Sequence, residues 1–172
     1  MSEKINLECV QGDITNQSDL DVVVNAANAQ LRTGGGVAGA IHRAAGPKLE
    51  EACRPMAPIN PGDAVISPAF DMPNKKIIHT LGPVYNVDKP SDQLLADCYR
   101  NSLMLADREK LTTIGFPAIS TGAFGYPVQE AAEVSAYVVH SVMAELHQIA
   151  LIRFVLFSDT DYATFRKAFG IK

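Results

Sequence analysis

Two periods of apolar residues alternate along the chain. Ile5, Leu7 and Cys9 alternate with Asn6 and Glu8, a period of two that predicts a half-buried strand over residues 5–10. Gln11-Gly12-Asp13 follows as a turn, and Thr15 to Leu20 as a short polar connection. The run Val22-Val23-Val24 predicts a second strand over 21–25 that is covered on both faces. Val37 to Ala45 is alanine-rich and reads as a helix ended by Gly46-Pro47, with Pro47 placed to start another over 48–53. Pro55, Pro58 and Pro61 then make a stiff surface loop. Strands are predicted over 63–68 and 76–81, separated by the turn signal Asp71-Met72-Pro73-Asn74. Ser91 or Asp92 is positioned to cap a helix reaching Lys110, with Leu94, Leu95, Cys98, Ser102, Leu105 and Ala106 at helical spacing. Another buried strand covers 112–117, and Pro127 opens a helix whose stripe runs from Val128 through Ala131, Ser135, Val138, Val139 and Val142 to Leu146. Leu151 to Phe157 is the last strand. Asp159 or Thr160 is expected to cap the last helix, which carries Tyr162, Phe165 and Phe169 and ends at Gly170.

Alternating strands and helices define an α/β class, layered helix–sheet–helix, with a mixed, mostly parallel central sheet. The first strand has no helix after it, so part of the sheet is expected to be antiparallel. With 172 residues and no repeat or linker, the chain is expected to be one domain, 1–172, able to bury about two-thirds of its unfolded surface. Composition adds exclusions: 47% hydrophobic and 20% charged residues describe an ordinary globular protein. No apolar run approaches the roughly 18 residues needed to span a bilayer, and Met1-Ser2-Glu3-Lys4 leads straight into a strand pattern with no signal peptide. Cys9, Cys53 and Cys98 are far apart, without ligand spacing; they read as reduced thiols in a cytoplasmic protein, and no metal site is expected. The net charge is -4 and the basic residues are scattered, which argues against nucleic acid as a partner. An anionic ligand would have to be held by backbone amides and helix ends.

Two segments supply such groups. Gly34-Gly35-Gly36-Val37 and Ser120-Thr121-Gly122-Ala123-Phe124-Gly125 each follow a predicted strand and precede a predicted helix. In an open sheet this is the ligand edge, and two such loops side by side can clamp a diphosphate. Either loop alone is equally well read as a tight turn; the pair in matching context favours binding. Neither carries the Lys-Ser/Thr pair of a P-loop, and the dinucleotide fingerprint is absent, so ATPase and dehydrogenase readings fail at their own motifs.

VQGDIT at Val10 to Thr15, VNAAN at Val24 to Asn28, GGGVAGAIHRAAGP at Gly34 to Pro47, PAISTGAFGYP at Pro117 to Pro127 and IHTLGPVY at Ile78 to Tyr85 together resemble the macrodomain family, nearest to its MacroD-type branch. The resemblance runs from about Ile5 to Phe169. It implies ADP-ribose binding and, in this branch, hydrolysis of ADP-ribosyl esters: mono-ADP-ribose on acidic side chains of proteins, or O-acetyl-ADP-ribose. No metal or redox cofactor is implied. By the same resemblance Asp13 accepts from the adenine amino group beside the backbone of Ile14, and Phe157 packs on the adenine face. Gly35, Gly36 and Val37 form one phosphate loop and Ser120, Thr121, Gly122 and Ala123 the other, with Phe124 and Gly125 along the distal ribose. Asn28 faces that ribose as a catalytic amide able to orient sugar and water. His42 matches a helix histidine of the branch; a catalytic part and a local structural one both fit it. Asn25 reads as structural.

One position departs from the branch. Ala38 stands where an Asp implicated in activating water is common, and viral macrodomains resemble this chain there. General-base help is worth roughly 100- to 10,000-fold, so its absence suits either a slow hydrolase or a reader with little turnover. An RNA-binding module is a further alternative.

Overall fold

The computed structural model describes residues 4–171; the N-terminal Met1 to Glu3, on which the leader reading rested, lies outside them. Six strands form one sheet: β1 (Asn6–Gln11), β2 (Val22–Ala26), β3 (Ala64–Pro68), β4 (Lys76–Thr80), β5 (Thr113–Phe116) and β6 (Leu151–Leu156). Five α-helices surround it: α1 (Gly36–Ala45), α2 (Lys48–Cys53), α3 (Ser91–Arg108), α4 (Val128–Val142) and α5 (Asp159–Phe169). The predicted elements are all present, with most ends displaced by a residue or two; the helix expected to reach Leu146 ends at Val142, where a 3-10 turn over Met143–Glu145 takes over.

The strand order is β1-β6-β5-β2-β4-β3. All pairings are parallel except β3 with β4. The sheet is therefore mixed, but its antiparallel strand is not β1, whose missing helix raised the expectation. β1 lies parallel to β6, the last strand of the chain. The antiparallel pair is β3–β4, because the few residues between Pro68 and Lys76 allow a reversal but not the long crossover a parallel pair needs.

Val22, Val23 and Val24 are fully buried, which follows from the place of β2 between β5 and β4 with helices on both faces. Val22 and Val24 join the larger core, where Tyr99, Phe116, Phe154 and Phe165 pack under α3, α4 and α5. Val23 joins a smaller core with Ile41, Leu49 and Ile77 under α1 and α2. Ring centroids 5.2–5.6 Å apart link Tyr99, Phe116 and Phe154 in the larger core.

Two cap expectations are corrected. Ser91 does not cap α3. It is the helix's first residue, its N-cap is Pro90, and its hydroxyl donates to the Asp88 carbonyl instead. The cap of α5 is Ser158, whose Oγ accepts from the Asp161 N–H at 3.1 Å, rather than Asp159 or Thr160. A hydroxyl reaches the N–H three residues on, and only Ser158 has the extended backbone a cap requires.

Candidate functional site

The carboxyl ends of the parallel strands share one edge of the sheet, and the sequence-predicted residues follow them in spatial order. Asp13 comes just after β1, Phe157 after β6, Ser120 to Gly125 after β5, and Asn28 and Gly34 to Val37 after β2. Gly82 follows β4. The edge contains a cleft of about 360 Å³ lined by Ala26, Ala27, Asn28, Gly34 to Ala38, Gly82, Ala118 to Ser120 and Gly122 to Phe124. The structure thus brings together the two glycine-containing loops, which are some 80 residues apart in sequence.

The chemistry of this cleft is set by backbone. α1 starts at Gly36 with Gly35 as its N-cap, no capping side chain and no acidic residue in its first turn. Its first amide paired backward is that of Gly39, to the Gly35 carbonyl at 3.2 Å. The N–H groups of Gly36, Val37 and Ala38 therefore have no intrahelical partner. In the opposing loop, Gly125 donates to Gly122 and Tyr126 to Ser120, while the amides of Thr121, Gly122, Ala123 and Phe124 find no acceptor among the described residues. Free amides on two sides of one cleft, one set at the positive end of a helix, are the chemistry that can receive a diphosphate.

Local backbone conformation makes this possible. Gly36 has φ 56°, Gly125 has φ 75° and Ser120 has φ 68°. Ser120 holds this left-handed conformation with its Oγ donating to the Pro83 carbonyl at 2.8 Å and its carbonyl accepting from Tyr126. Gly82 is required for close approach: a Cβ there would run into Ser120 Oγ and lie 2.6 Å from Ile119 Cγ2. A Cβ on Gly39 would collide with the Gly34 carbonyl.

Asn28 lines the cleft and is held by its loop. Its Nδ2 donates to the Arg32 carbonyl at 2.8 Å, and its Oδ1 accepts from the Arg32 N–H at 3.0 Å. A carboxamide has two N–H donors and two acceptor lone pairs, so one of each stays free in a fixed orientation. Ala38 lines the same cleft with only a methyl group and is nearly buried. His42, one turn further along α1, is buried and does not line the cleft. Its Nε2 has no partner, and burial holds its pKa below the usual histidine value against the opposing pull of Glu50.

On the same sheet edge, but like Ile14 and Phe157 outside the lining of the cleft, Asp13 Oδ1 accepts from the Thr15 N–H at 2.9 Å and the Thr15 hydroxyl at 2.7 Å, a side-chain-closed turn. The turn reading of Asp13 is therefore present in the structure, and the second carboxylate oxygen is left over for a ligand. Ile14 is buried, and Phe157 is 86% exposed, so its ring stands open on the surface. The Gly12 N–H bonds to the Leu156 carbonyl at 2.9 Å, so the Asp13 turn and Phe157 stand side by side. Thr121 and Gly125 belong to the second loop without lining the cleft wall. Ala26, Ala27, Gly82, Ala118 and Ile119 line it although sequence reasoning did not single them out. The Leu81-Gly82-Pro83 segment was the available signal, a small residue between a strand and a proline.

Asn25, the strand residue before Ala26, is buried with His79 of β4 directly across. Ser67 Oγ donates to the Pro68 carbonyl at 3.0 Å, so toward His79 it accepts, at 2.9 Å from Nε2. The proton then sits on Nε2, and Nδ1 accepts from Asn25 Nδ2 at 3.0 Å. Burial first, and the neighbouring His42 second, push the His79 pKa down to about 3. The structural reading of Asn25 agrees with this fully enclosed network. Among the described residues no group of histidine, cysteine and acidic side chains is placed to hold a metal, and no helix is long and apolar enough to cross a membrane.

The fold and cleft define a macrodomain. The Macro domain family model matches residues 24–135, and the chain belongs to that family. An O-acetyl-ADP-ribose deacetylase of Klebsiella pneumoniae is 46% identical over 93% of this chain and 94% of its own length. A macro domain-containing protein of Chlorobaculum tepidum is 44% identical over 98% of each chain. Among solved structures, the Oceanobacillus iheyensis macrodomain with ADP superposes at a TM-score of 0.91, 42% identical, covering 99% of this chain and 94% of that one. A Trypanosoma brucei macrodomain in complex with ADP-ribose gives 0.87 at 33% identity, over 94% of this chain and 68% of that one.

Proposed function

We propose that this protein binds ADP-ribose in the cleft and hydrolyses ADP-ribosyl esters, either O-acetyl-ADP-ribose or mono-ADP-ribose on acidic side chains of proteins. The observation that carries the reading is the pair of unpartnered amide sets facing one cleft, at the start of α1 and in the loop Thr121 to Phe124. The relatives named as deacetylases and the related structure with ADP-ribose support it.

Adenine lies against Phe157, with the free Asp13 oxygen accepting from its amino group. The diphosphate bends between the two loops, which presses the distal ribose toward Asn28 and Phe124. The free donor and acceptor of Asn28 orient the sugar and a water. That water attacks at the distal ribose and the carboxylate departs. No side chain at position 38 takes the water's proton, so a ligand phosphate oxygen assists and the reaction is slow. His42, buried away from the cleft wall, is assigned to holding α1 in place rather than to proton transfer.

Calorimetry with ADP-ribose, followed by an assay of O-acetyl-ADP-ribose hydrolysis, tests both halves. Binding with measurable turnover is expected. Binding without turnover would leave the reader module, and no binding would remove the reading altogether.

A further inference from the structure

Next to the cleft is a second hollow, about 580 Å³, lined by Tyr85, Asn86, Lys89, Pro90, Ser91, Asp92, Tyr126 and Glu130. The two cavities share a partition. Phe124 lines the cleft, Tyr126 lines the hollow two residues later, and the Phe124 carbonyl accepts from the Tyr85 N–H at 2.9 Å. The hollow therefore adjoins the cleft at Phe124, the residue that the proposed function sets along the distal ribose.

The walls of the hollow have a definite chemistry. The Tyr85 and Tyr126 rings are 4.7 Å apart between centroids at an interplanar angle of 55°. Tyr85 Oη donates to Glu130 Oε2 at 3.0 Å, which fixes that ring and leaves the other carboxylate oxygen available. Asp92 and Glu130 outnumber the lone cation Lys89 on the rim. Burial first, then the charges of Asp92 and Glu130, push the Tyr126 phenol up to about 12, so its hydroxyl stays protonated. Both acids also lie in the first turns of α3 and α4, where they complement the helix ends. Tyr126 is buried behind Tyr85, and the partly exposed Tyr85 ring beside net negative charge suits an organic cation.

We propose that this hollow receives the polypeptide flanking an ADP-ribosylated acidic residue, with a lysine or arginine of that polypeptide placed on the Tyr85 ring against Asp92 and Glu130. This rests on the esterase reading above and deepens it: the substrate class is a modified protein with a nearby basic residue, rather than the acetyl ester alone.

The test compares three ligands on wild type and on the Asp92→Asn/Glu130→Gln double variant. They are ADP-ribose, a mono-ADP-ribosyl-glutamate peptide with a flanking arginine, and the same peptide with glutamine at the flank. For wild type, the arginine peptide is expected to bind about fivefold to tenfold more tightly than the glutamine peptide. In the double variant that ratio is expected to fall to about one, while ADP-ribose affinity and O-acetyl-ADP-ribose turnover are unchanged. Equal wild-type affinity for the two peptides, or a ratio that survives in the double variant, overturns the inference while the ADP-ribose reading stands. Loss of ADP-ribose binding in wild type would instead sink both.

Discussion

At the scale of single residues, Asn28 and Ala38 face the same cleft and differ in what they can do. Asn28 is immobilised by two hydrogen bonds to Arg32 and has one donor and one acceptor to spare. Asn28→Ala is expected to keep ADP-ribose affinity within about tenfold, because the amide and adenine contacts persist, and to lower turnover of the ester at least as much as loss of general-base help does, about 100-fold. Unchanged kcat would remove Asn28 from the chemistry. Ala38 is the converse case. A carboxylate there would sit in the first turn of α1, where the helix end stabilises its charged form. Ala38→Asp is expected to raise kcat by about 100-fold or more, with little change in ADP-ribose affinity. Equal rates for the two proteins would show that the water is activated without a base at this position.

At the scale of elements, the cleft depends on how closely the loops after β4 and β5 approach. Gly82 permits that approach, and Ser120 locks it through Pro83. Gly82→Val is expected to push the Ser120 loop outward and weaken ADP-ribose binding by about tenfold or more, since the second set of amides would no longer meet the diphosphate. Calorimetry reads this directly, and an unchanged far-ultraviolet circular dichroism spectrum would separate it from unfolding. Affinity equal to wild type would show that the second loop does not hold phosphate. The caps belong to this scale as well. The cap of α5 is not legible from residue type, because Ser158, Asp159 and Thr160 are all good capping types and only backbone conformation decides among them.

At the scale of the molecule, the sheet encloses a titratable group that links stability to pH. His79 is wholly buried, and its pKa is pushed down from 6.5 to about 3. The folded state binds fewer protons there than the unfolded chain, so stability rises with pH across that interval. The contribution is fully present above about pH 6.5 and is lost progressively as the pH falls toward 3. His42, shifted in the same direction by burial, adds to the slope. The melting temperature is expected to drop by several degrees between pH 7 and pH 4.5, at about 2–4 °C per kcal/mol for a chain of this size. His79→Gln should show a flatter dependence. An identical slope in that variant would assign the acid sensitivity to other groups.

The sequence alone determined the element order, because strand and helix periods differ and glycine and proline punctuate them. Val22 to Val24 announced a strand buried on both faces, since no other position in an α/β sheet tolerates three consecutive valines without a polar face. The macrodomain motifs pointed to the two cleft loops, because open backbone amides at a helix start need glycines that are visible as letters. Only the tertiary structure decided the rest. It put β1 beside β6, a pairing between opposite ends of the chain that no local pattern encodes. It placed His42 inside and Asn28 on the cleft wall, a matter of which way each side chain faces after packing. It set Gly82 against Ser120 and the Tyr85–Tyr126 hollow against Phe124, contacts between segments that share no local signal.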